Sequence, residues 1–173
     1  MSFTNLQLSL DTLPEFAAAE LHELHPSYPR VVLGVALVSE AIAFVFATAL
    51  LYAVLVPHAG LPVAFALLVH GGLIVLLAFL AWLAHKSAIV IRYAIREHDV
   101  IVRSGVFWKK ETVQPIRRIQ HVEQHQGPVD KRYGLYELKL FSAGTGHFTF
   151  RIPGLDANAA ARVKQFILDV QNG

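Results

Sequence analysis

Two long apolar runs constrain the fold of this chain more than any other feature. Residues 31–56 form a run of 26 with one charged member, Glu40, and residues 61–84 form a run of 24 in which His70 is the one acidic or basic side chain. About 20 apolar residues in a helix cross the hydrocarbon core of a bilayer. Only "PHAG" separates the runs, so residues 30–86 are predicted to form a transmembrane helical hairpin. The alternative is a pair of soluble helices buried on all sides, since neither run has the polar face of a surface helix.

Flanking charges predict the orientation of this hairpin. The connector, residues 57–60, contains no Lys or Arg, whereas Arg30 precedes the first run and Lys86, Arg92 and Arg96 follow the second. Lys and Arg accumulate on the cytoplasmic side of a membrane. We therefore expect a multi-pass protein of the inner (plasma) membrane with both termini in the cytoplasm.

The segment before the hairpin, residues 1–29, is acidic and has no continuous apolar core. We expect no cleavable signal peptide there, so that the first span acts as an uncleaved insertion signal. Its stretch "LPEFAAAELHEL" is compatible with an amphipathic helix lying on the membrane or on the C-terminal domain. The sequence leaves both alternatives open.

Several chemistries are disfavoured by what the sequence lacks. It contains no cysteine, which excludes disulfides, thiolate metal sites and cysteine nucleophiles. It also has no HExxH motif, no phosphate-binding glycine loop and no GxSxG elbow. His121, Glu123 and His125 share one face of a predicted strand, but their spacing spreads them over roughly 13 Å. We therefore expect no enzyme, no cofactor and no bound metal.

Residues 87–173 are predicted to form a separate small domain. The strands "YELKL", "HFTFRI" and "DVIVRS" alternate apolar and polar residues, as half-buried antiparallel strands do. Asp156 is a predicted N-cap, and helical spacing follows in a stripe of Val163, Phe166, Ile167 and Val170. The fold class is therefore α+β, with a small β-barrel or sandwich closed by a C-terminal helix.

The charge of this domain indicates what it binds. From Lys86 onward, 14 Lys and Arg face 8 Asp and Glu, a net charge of +6. Each well-placed cation beside an anionic leaflet contributes about 1 kcal/mol to membrane binding. The chain has no basic recognition helix and no aromatic RNP-type motif, so nucleic acid is not an expected partner.

One long segment carries a family resemblance. The stretch "VIVRSGVFWKKETVQPIRRIQHVEQHQGPVDKRYGLYELKLFSAG", followed by "RIPGL" and an alanine-rich helix start, resembles the membrane-anchored bacterial pleckstrin-homology-like (PH-like) family of the YdbS-like type. One departure is "FSAG", where relatives more often have "TAG". The resemblance implies a PH-like antiparallel β-barrel capped by a C-terminal helix. It also implies a hetero-complex with a larger relative carrying several such domains.

We therefore expect an inner-membrane-anchored adaptor that binds membrane lipid, a partner membrane protein, or both, on the cytoplasmic face. The alternative is an accessory subunit of a transporter, export or envelope-defence complex. The first candidate contact consists of Phe107, Trp108, Lys109 and Lys110, because aromatic side chains and cations suit the headgroup layer. The competing interpretation is an ordinary strand start, with Trp108 packed on the domain and the lysines solvated.

Two further groups are candidate sites. The first group comprises Arg117, Arg118, Lys131 and Arg132. These side chains form one basic patch if the Gly127–Pro128 corner folds back, and the alternative is a scattered, solvated surface. The second is the intramembrane pair Glu40 and His70, which lie at depths of roughly 15 and 22 Å from the inner ends of the spans. This pair serves a proton or substrate relay, or it makes polar contacts between subunits, including those of a homo-oligomer; a third alternative is that Glu40 is simply neutral. The small residues Ala43, Ala47, Gly71 and Gly72 favour assembly.

Overall fold

A computed structural model describes residues 20–55, 63–142 and 148–172. Two long helices come first, and antiparallel strands and a C-terminal helix follow, which confirms the predicted α+β class. In chain order the elements are β1 (His22–Glu23), α1 (Tyr28–Leu50), a π-helical turn (Leu51–Leu55), α2 (Val63–Ile89), β2 (Arg92–Ile95), β3 (Asp99–Ser104), β4 (Lys110–Pro115), a 3-10 turn (Ile116–Arg118), β5 (Ile119–His125), α3 (Pro128–Tyr133), β6 (Leu135–Ser142), β7 (Phe148–Asp156) and α4 (Ala157–Asn172).

Helices α1 and α2 are long and apolar enough to cross a membrane. Within the most apolar part of each, only 6% and 0% of the residues are buried inside the protein. The core helix of a soluble protein would be mostly buried, so these side chains need an apolar environment outside the chain. At one end of the pair, a ring nitrogen of His85 donates to the carbonyl of Pro29 at 3.1 Å. The connector, residues 57–60, lies outside the described residues.

The described strands form two antiparallel sheets, ordered β1-β2-β3-β4 and β5-β6-β7. The alternation read from the sequence is confirmed in β6, where Leu138 and Leu140 are fully buried, and in β7, where Ile152 is. Helix α4 closes the domain. The shared core draws side chains from both sheets and from α4, among them Val100, Val102, Val122, Leu138, Leu140, Ile152, Ala160, Val163 and Ile167.

Asp156 acts as the N-cap of α4, as its position predicted. The backbone N–H of Ala159 donates to the Asp156 carboxylate at 2.8 Å, which satisfies one of the free N–H groups of the first turn. Val163 and Ile167 then face the core, while Phe166 and Val170 pack at its margin. The helix contacts the 3-10 turn and the sheet formed by β5, β6 and β7.

Residues 22–24, just before the first span, are part of the domain that follows the second span. Strand β1 pairs with β2, with Glu23 opposite Arg92, and these two side chains form a 2.8 Å ion pair. Leu24 is 8% exposed and belongs to the core. This pairing requires both flanks of the hairpin to lie on the same side of the membrane. Of "LPEFAAAELHEL", residues 13–19 lie outside the described residues.

Gly154 joins the start of α1 to the domain. Its carbonyl accepts the backbone N–H of His25 at 2.9 Å. Its φ of +61° lies in the left-handed region, and a Cβ there would come within 2.4 to 2.7 Å of the Cβ and ring atoms of Tyr28. Only glycine avoids both the strain and the clash, so β7 and α1 touch directly at this position.

A bulge and a short helix shape the corner between β5 and β6. Ile119 and Val122 are both buried, although three positions apart they would face opposite sides of a regular strand. The register shifts between Ile119 and His121, and this bulge turns both side chains inward. Helix α3 follows, and Gly134 ends it at a φ of +65°, as expected for a left-handed cap.

Candidate functional site

The turn between β3 and β4 lies on the side of the domain that faces the hairpin. Strand β2 begins three residues after α2 ends, and Arg92 at its start pairs with Arg103 near the end of β3. Because the two strands are antiparallel, β3 returns the chain to the level of the end of α2. The turn that follows, residues 105–109, is therefore at the membrane-proximal edge of the sheet.

Gly105 gives this turn its shape. Its φ is +104°, and a Cβ at this position would lie 1.9 Å from the carbonyl oxygen of Trp108. The turn leaves the Phe107 side chain 60% exposed and that of Trp108 86% exposed. The two rings meet edge to face, with centroids 6.2 Å apart. Trp108 is therefore not packed on the domain, which was the competing interpretation.

A cleft of about 540 Å³ lies between this turn and the end of α2. Four cations line it: Arg92, Arg103, Lys109 and Lys110. Arg103 pairs with Glu111 at 2.6 Å, and Arg92 pairs with a carboxylate of β1 and also donates to the carbonyl of Ile91 at 3.0 Å. Within the described part of the chain the two lysines have no acidic partner, so the cleft is an electropositive surface.

The predicted basic patch is divided in the structure. Arg117 and Arg118 lie in the 3-10 turn before β5, whereas Lys131 and Arg132 lie in α3 after it. The seven residues of β5 separate the two pairs by about 20 Å along the strand. All four side chains are exposed, and the corner does not bring them together. The two pairs stay apart because the extended strand β5 lies between them.

Helix α3 forms one wall of an apolar groove that sequence reasoning missed. The groove has a volume of about 440 Å³ and lies between α3 and the first half of α1. Val129 and Tyr133 line it from α3, and they are spaced by four residues on one helical face. That spacing was the available signal. We call this the α1–α3 groove, and its α1 residues are Arg30, Val31, Gly34, Val35, Val38, Ser39 and Ile42.

His70 is satisfied inside the hairpin. Its Nδ1 is 2.7 Å from the carbonyl of Ala66, which accepts, so Nδ1 carries the proton. In the neutral ring Nε2 then accepts from the hydroxyl of Thr48 at 3.3 Å. Phe44 packs edge to face on the imidazole, with centroids 5.8 Å apart. The hydrogen-bond partner of His70 on α1 is therefore Thr48.

Glu40 has a different environment. It is half-buried and lies in an apolar groove between the spans, beside Phe44 and Leu77. No hydrogen bond or ion pair reaches it from the residues that the structure describes. A carboxyl group in hydrocarbon without a partner is costly, so this position needs either a proton or a polar partner beyond the described residues.

The three candidate metal ligands on β5 stay at the surface. His121 lies 3.5 Å from Glu123, and both side chains are at least half exposed. Over residues 20–55, 63–142 and 148–172, no three His, Cys, Asp or Glu side chains are grouped closely enough to hold a metal ion.

Comparisons with known proteins place this architecture. The family model described as bacterial PH domain matches residues 30–171. The UPF0699 transmembrane protein YdbS of Bacillus subtilis (strain 168) is 35% identical over 96 residues, which cover 56% of this chain and 57% of that relative. The chain therefore spans little more than half the length of this curated relative. No solved structure matches.

Proposed function

The chain belongs to the bacterial PH domain family, as its sequence predicted, and we propose that it is an adaptor anchored in the inner membrane. In this proposal both termini and the PH-like domain lie in the cytoplasm, and the domain binds anionic lipid of the adjacent leaflet. The role is binding rather than catalysis. The observation that carries the proposal is Trp108, a large aromatic side chain left 86% exposed at the membrane-proximal edge of the domain.

The β3–β4 turn has the composition of a membrane contact. Trp settles at the membrane–water interface, where its ring is covered and its N–H stays hydrated. Lys109 and Lys110 follow at once, and each adds about 1 kcal/mol beside anionic headgroups. Phe107 adds a second exposed ring. An aromatic pair beside two cations is the arrangement that binds an anionic leaflet, with the rings inserted and the ammonium groups at the phosphates.

The orientation in this proposal is supported by the charges that flank the spans. Arg30 and Lys86 flank the inner ends of the spans, and the positive-inside rule places such ends in the cytoplasm. The β1–β2 pairing joins the two flanks on one side. We further propose that the two sheets and α4 make up the PH-like barrel, because the facing sides of both sheets share one core with that helix.

Tryptophan fluorescence of the full chain in lipid nanodiscs tests the membrane contact. The full chain is needed because β1 and Leu24 belong to the domain. Trp82→Phe leaves Trp108 as the only tryptophan, since the chain has two. We expect lipids brominated near the headgroup to quench Trp108. The converse variant, Trp108→Phe, reports on Trp82 inside the span and serves as the immersed reference.

The same experiment separates aromatic insertion from charge. Lys109→Gln with Lys110→Gln should reduce quenching in anionic nanodiscs and leave it unchanged in zwitterionic ones. The proposal would be overturned if Trp108 emits at the wavelength of a water-exposed indole and the brominated lipids quench it in neither anionic nor zwitterionic nanodiscs.

Glu40 supports a second candidate function, an accessory subunit of a larger membrane complex. Burying a charged residue at the centre of a membrane costs at least about 2.5–3.5 kcal/mol, and a donor on a partner's transmembrane helix would offset this. A larger relative with several PH-like domains is the partner that the family resemblance suggests. Transporter, export and envelope-defence complexes are further settings for the same contact.

Copurification in mild detergent tests this second function. Glu40→Leu should release the partner without unfolding the chain, because leucine is at least as stable in hydrocarbon. Ser87→Ala on α2 is the matched control, since that hydroxyl already donates to the carbonyl of Ala84 in its own helix at 2.7 Å. An unchanged set of copurifying proteins in the Glu40→Leu variant would argue against partner docking at the groove between the spans that contains Glu40.

A further inference from the structure

We propose that the α1–α3 groove binds one acyl chain of an anionic phospholipid from the inner leaflet, with Arg30 holding the lipid phosphate. The site is separate from the β3–β4 turn, but it rests on the proposed placement of α1, with Arg30 at the cytoplasmic surface. It also gives α3 a role, as a short helix lying at the membrane interface.

The depth of the groove matches one leaflet. Measured from Arg30 at 1.5 Å per residue, Gly34 lies about 6 Å deeper, Val38 about 12 Å and Ile42 about 18 Å. Half of a hydrocarbon core is about 15 Å. A lipid whose phosphate meets Arg30 can therefore lay its acyl chain along the entire groove, in the direction that lipids of this leaflet already take.

The wall formed by α3 is apolar, and no residue in the described ranges covers it. Val129 is 44% exposed and Tyr133 is 52% exposed, and both line the groove together with Val38 on α1. A cytoplasmic helix exposing this face would leave apolar area in water. An acyl chain covers it, while the Tyr133 hydroxyl remains at the hydrated interface where tyrosine is enriched.

Gly34 keeps the groove open. A Cβ built at this residue meets no atom within 4 Å, so the space beside α1 is empty at the point where the groove passes from interface to hydrocarbon. The groove volume of about 440 Å³ falls within the range of about 300–1,000 Å³ seen for small-ligand sites. The absence of a side chain here is what gives a lipid access.

The charges at the mouth favour an anionic headgroup. Arg30 lines the groove and has no ion pair to any residue that the structure describes. Lys131 and Arg132 are exposed on α3. The one acidic residue of α3, Asp130, accepts the backbone N–H of Gly127 at 3.3 Å. A guanidinium group binds phosphate through two parallel N–H donors, which makes Arg30 the anchor.

Lipid binding in the α1–α3 groove is tested by replacing a glycine with leucine at two positions, one inside the groove and one outside it. Gly34→Leu fills it, and because a Cβ fits there without contact, the variant should fold. Gly71→Leu is the matched control, since a Cβ at Gly71 also meets nothing within 4 Å and this residue lies on α2, outside the groove. The readout is native mass spectrometry of full chains released from nanodiscs of mixed phosphatidylglycerol and phosphatidylcholine.

We expect wild type and Gly71→Leu to retain one phosphatidylglycerol molecule. Gly34→Leu should retain it about tenfold less, the effect of losing about two buried methylene groups. Arg30→Gln should abolish the preference for phosphatidylglycerol over phosphatidylcholine. Equal retention by Gly34→Leu and wild type would overturn the inference, as would loss of a copurifying protein in place of lipid.

Measuring the quenching of Trp108 in the Gly34→Leu variant distinguishes lipid binding in the α1–α3 groove from the proposed membrane contact of the β3–β4 turn. Normal quenching together with lost lipid supports the groove while leaving the contact of the turn intact. Gly34-dependent lipid retention without any Trp108 quenching supports the groove and contradicts only the proposed contact.

Discussion

Gly154→Ala is the perturbation for which the structure gives the clearest magnitude. Gly154 has a φ of +61°, and its added Cβ would lie 2.4 to 2.7 Å from Tyr28 atoms at the start of α1. The left-handed conformation costs a non-glycine residue about 1–2 kcal/mol. Forcing an extra carbon into packed atoms costs about 1–3 kcal/mol. Lower entropy of the unfolded chain returns about 0.4–1 kcal/mol, so the domain should lose about 1–5 kcal/mol of unfolding free energy.

A double-mutant cycle separates the clash from the backbone strain. Tyr28→Gly removes the three atoms nearest to the new Cβ, so Gly154→Ala should then cost mainly the backbone part. We expect a coupling energy of about 1–3 kcal/mol between the two positions. The assay is urea unfolding of the nanodisc-embedded chain, followed by pulse proteolysis of the domain.

Gly72→Ala is the control for this cycle, because a Cβ there meets nothing within 4 Å and the domain should keep its unfolding midpoint. If Gly154→Ala is neutral, or if its cost is the same with and without the Tyr28 ring, then α1 is not docked on β7. The reasoning that joins the spans to the domain through this contact would be refuted.

Three further predictions concern single contacts. Asp156→Ala should cost the domain about 1 kcal/mol, because α4 loses its N-cap, and an unchanged urea midpoint would contradict that role. Thr48→Val should weaken hairpin association by about 0.6 kcal/mol, measured by steric trapping of the spans, and no loss would mean that His70 has another donor. Burial first, and then the negative charge of Asp156, raises the pKa of Tyr93 above its usual 10.0. Because the pKa of Tyr93 is higher in the folded than in the unfolded chain, the protonated phenol contributes its full stability below about pH 10. That stability is lost as the pH rises through the folded pKa. Tyr93→Phe should flatten that alkaline loss in a pH series of urea midpoints, and an equal loss in both chains would contradict it.

Periodicity in the sequence was enough to predict the core of the domain. Leu138, Leu140 and Ile152 alternate along strands, and Val163 and Ile167 share one helical face. Each of these positions depends on its own element and one buried side, which local spacing encodes. The N-cap at Asp156 is equally local. The two apolar helices could likewise be predicted from composition, because the apolar character of each run is a local property of the sequence.

What the sequence did not predict depends on contacts between distant segments. Strand β1 is two residues long and carries no pattern, and its partner lies beyond both spans. The bond between Thr48 and His70 depends on how the two helices are rotated about their axes. The α1–α3 groove depends on where a six-residue helix docks. The bulge after Ile119 was visible only as an apolar residue out of step with Val122.

The arrangement of the hairpin and domain about the membrane can be measured directly, because the chain has no cysteine and every introduced one is unique. Lys131→Cys lies in the domain and His58→Cys lies in the connector between the spans. In intact spheroplasts, a membrane-impermeant maleimide should label position 58 at once and position 131 only after permeabilisation. Labelling of position 131 from outside, with position 58 protected, would place the domain on the wrong side and contradict the account.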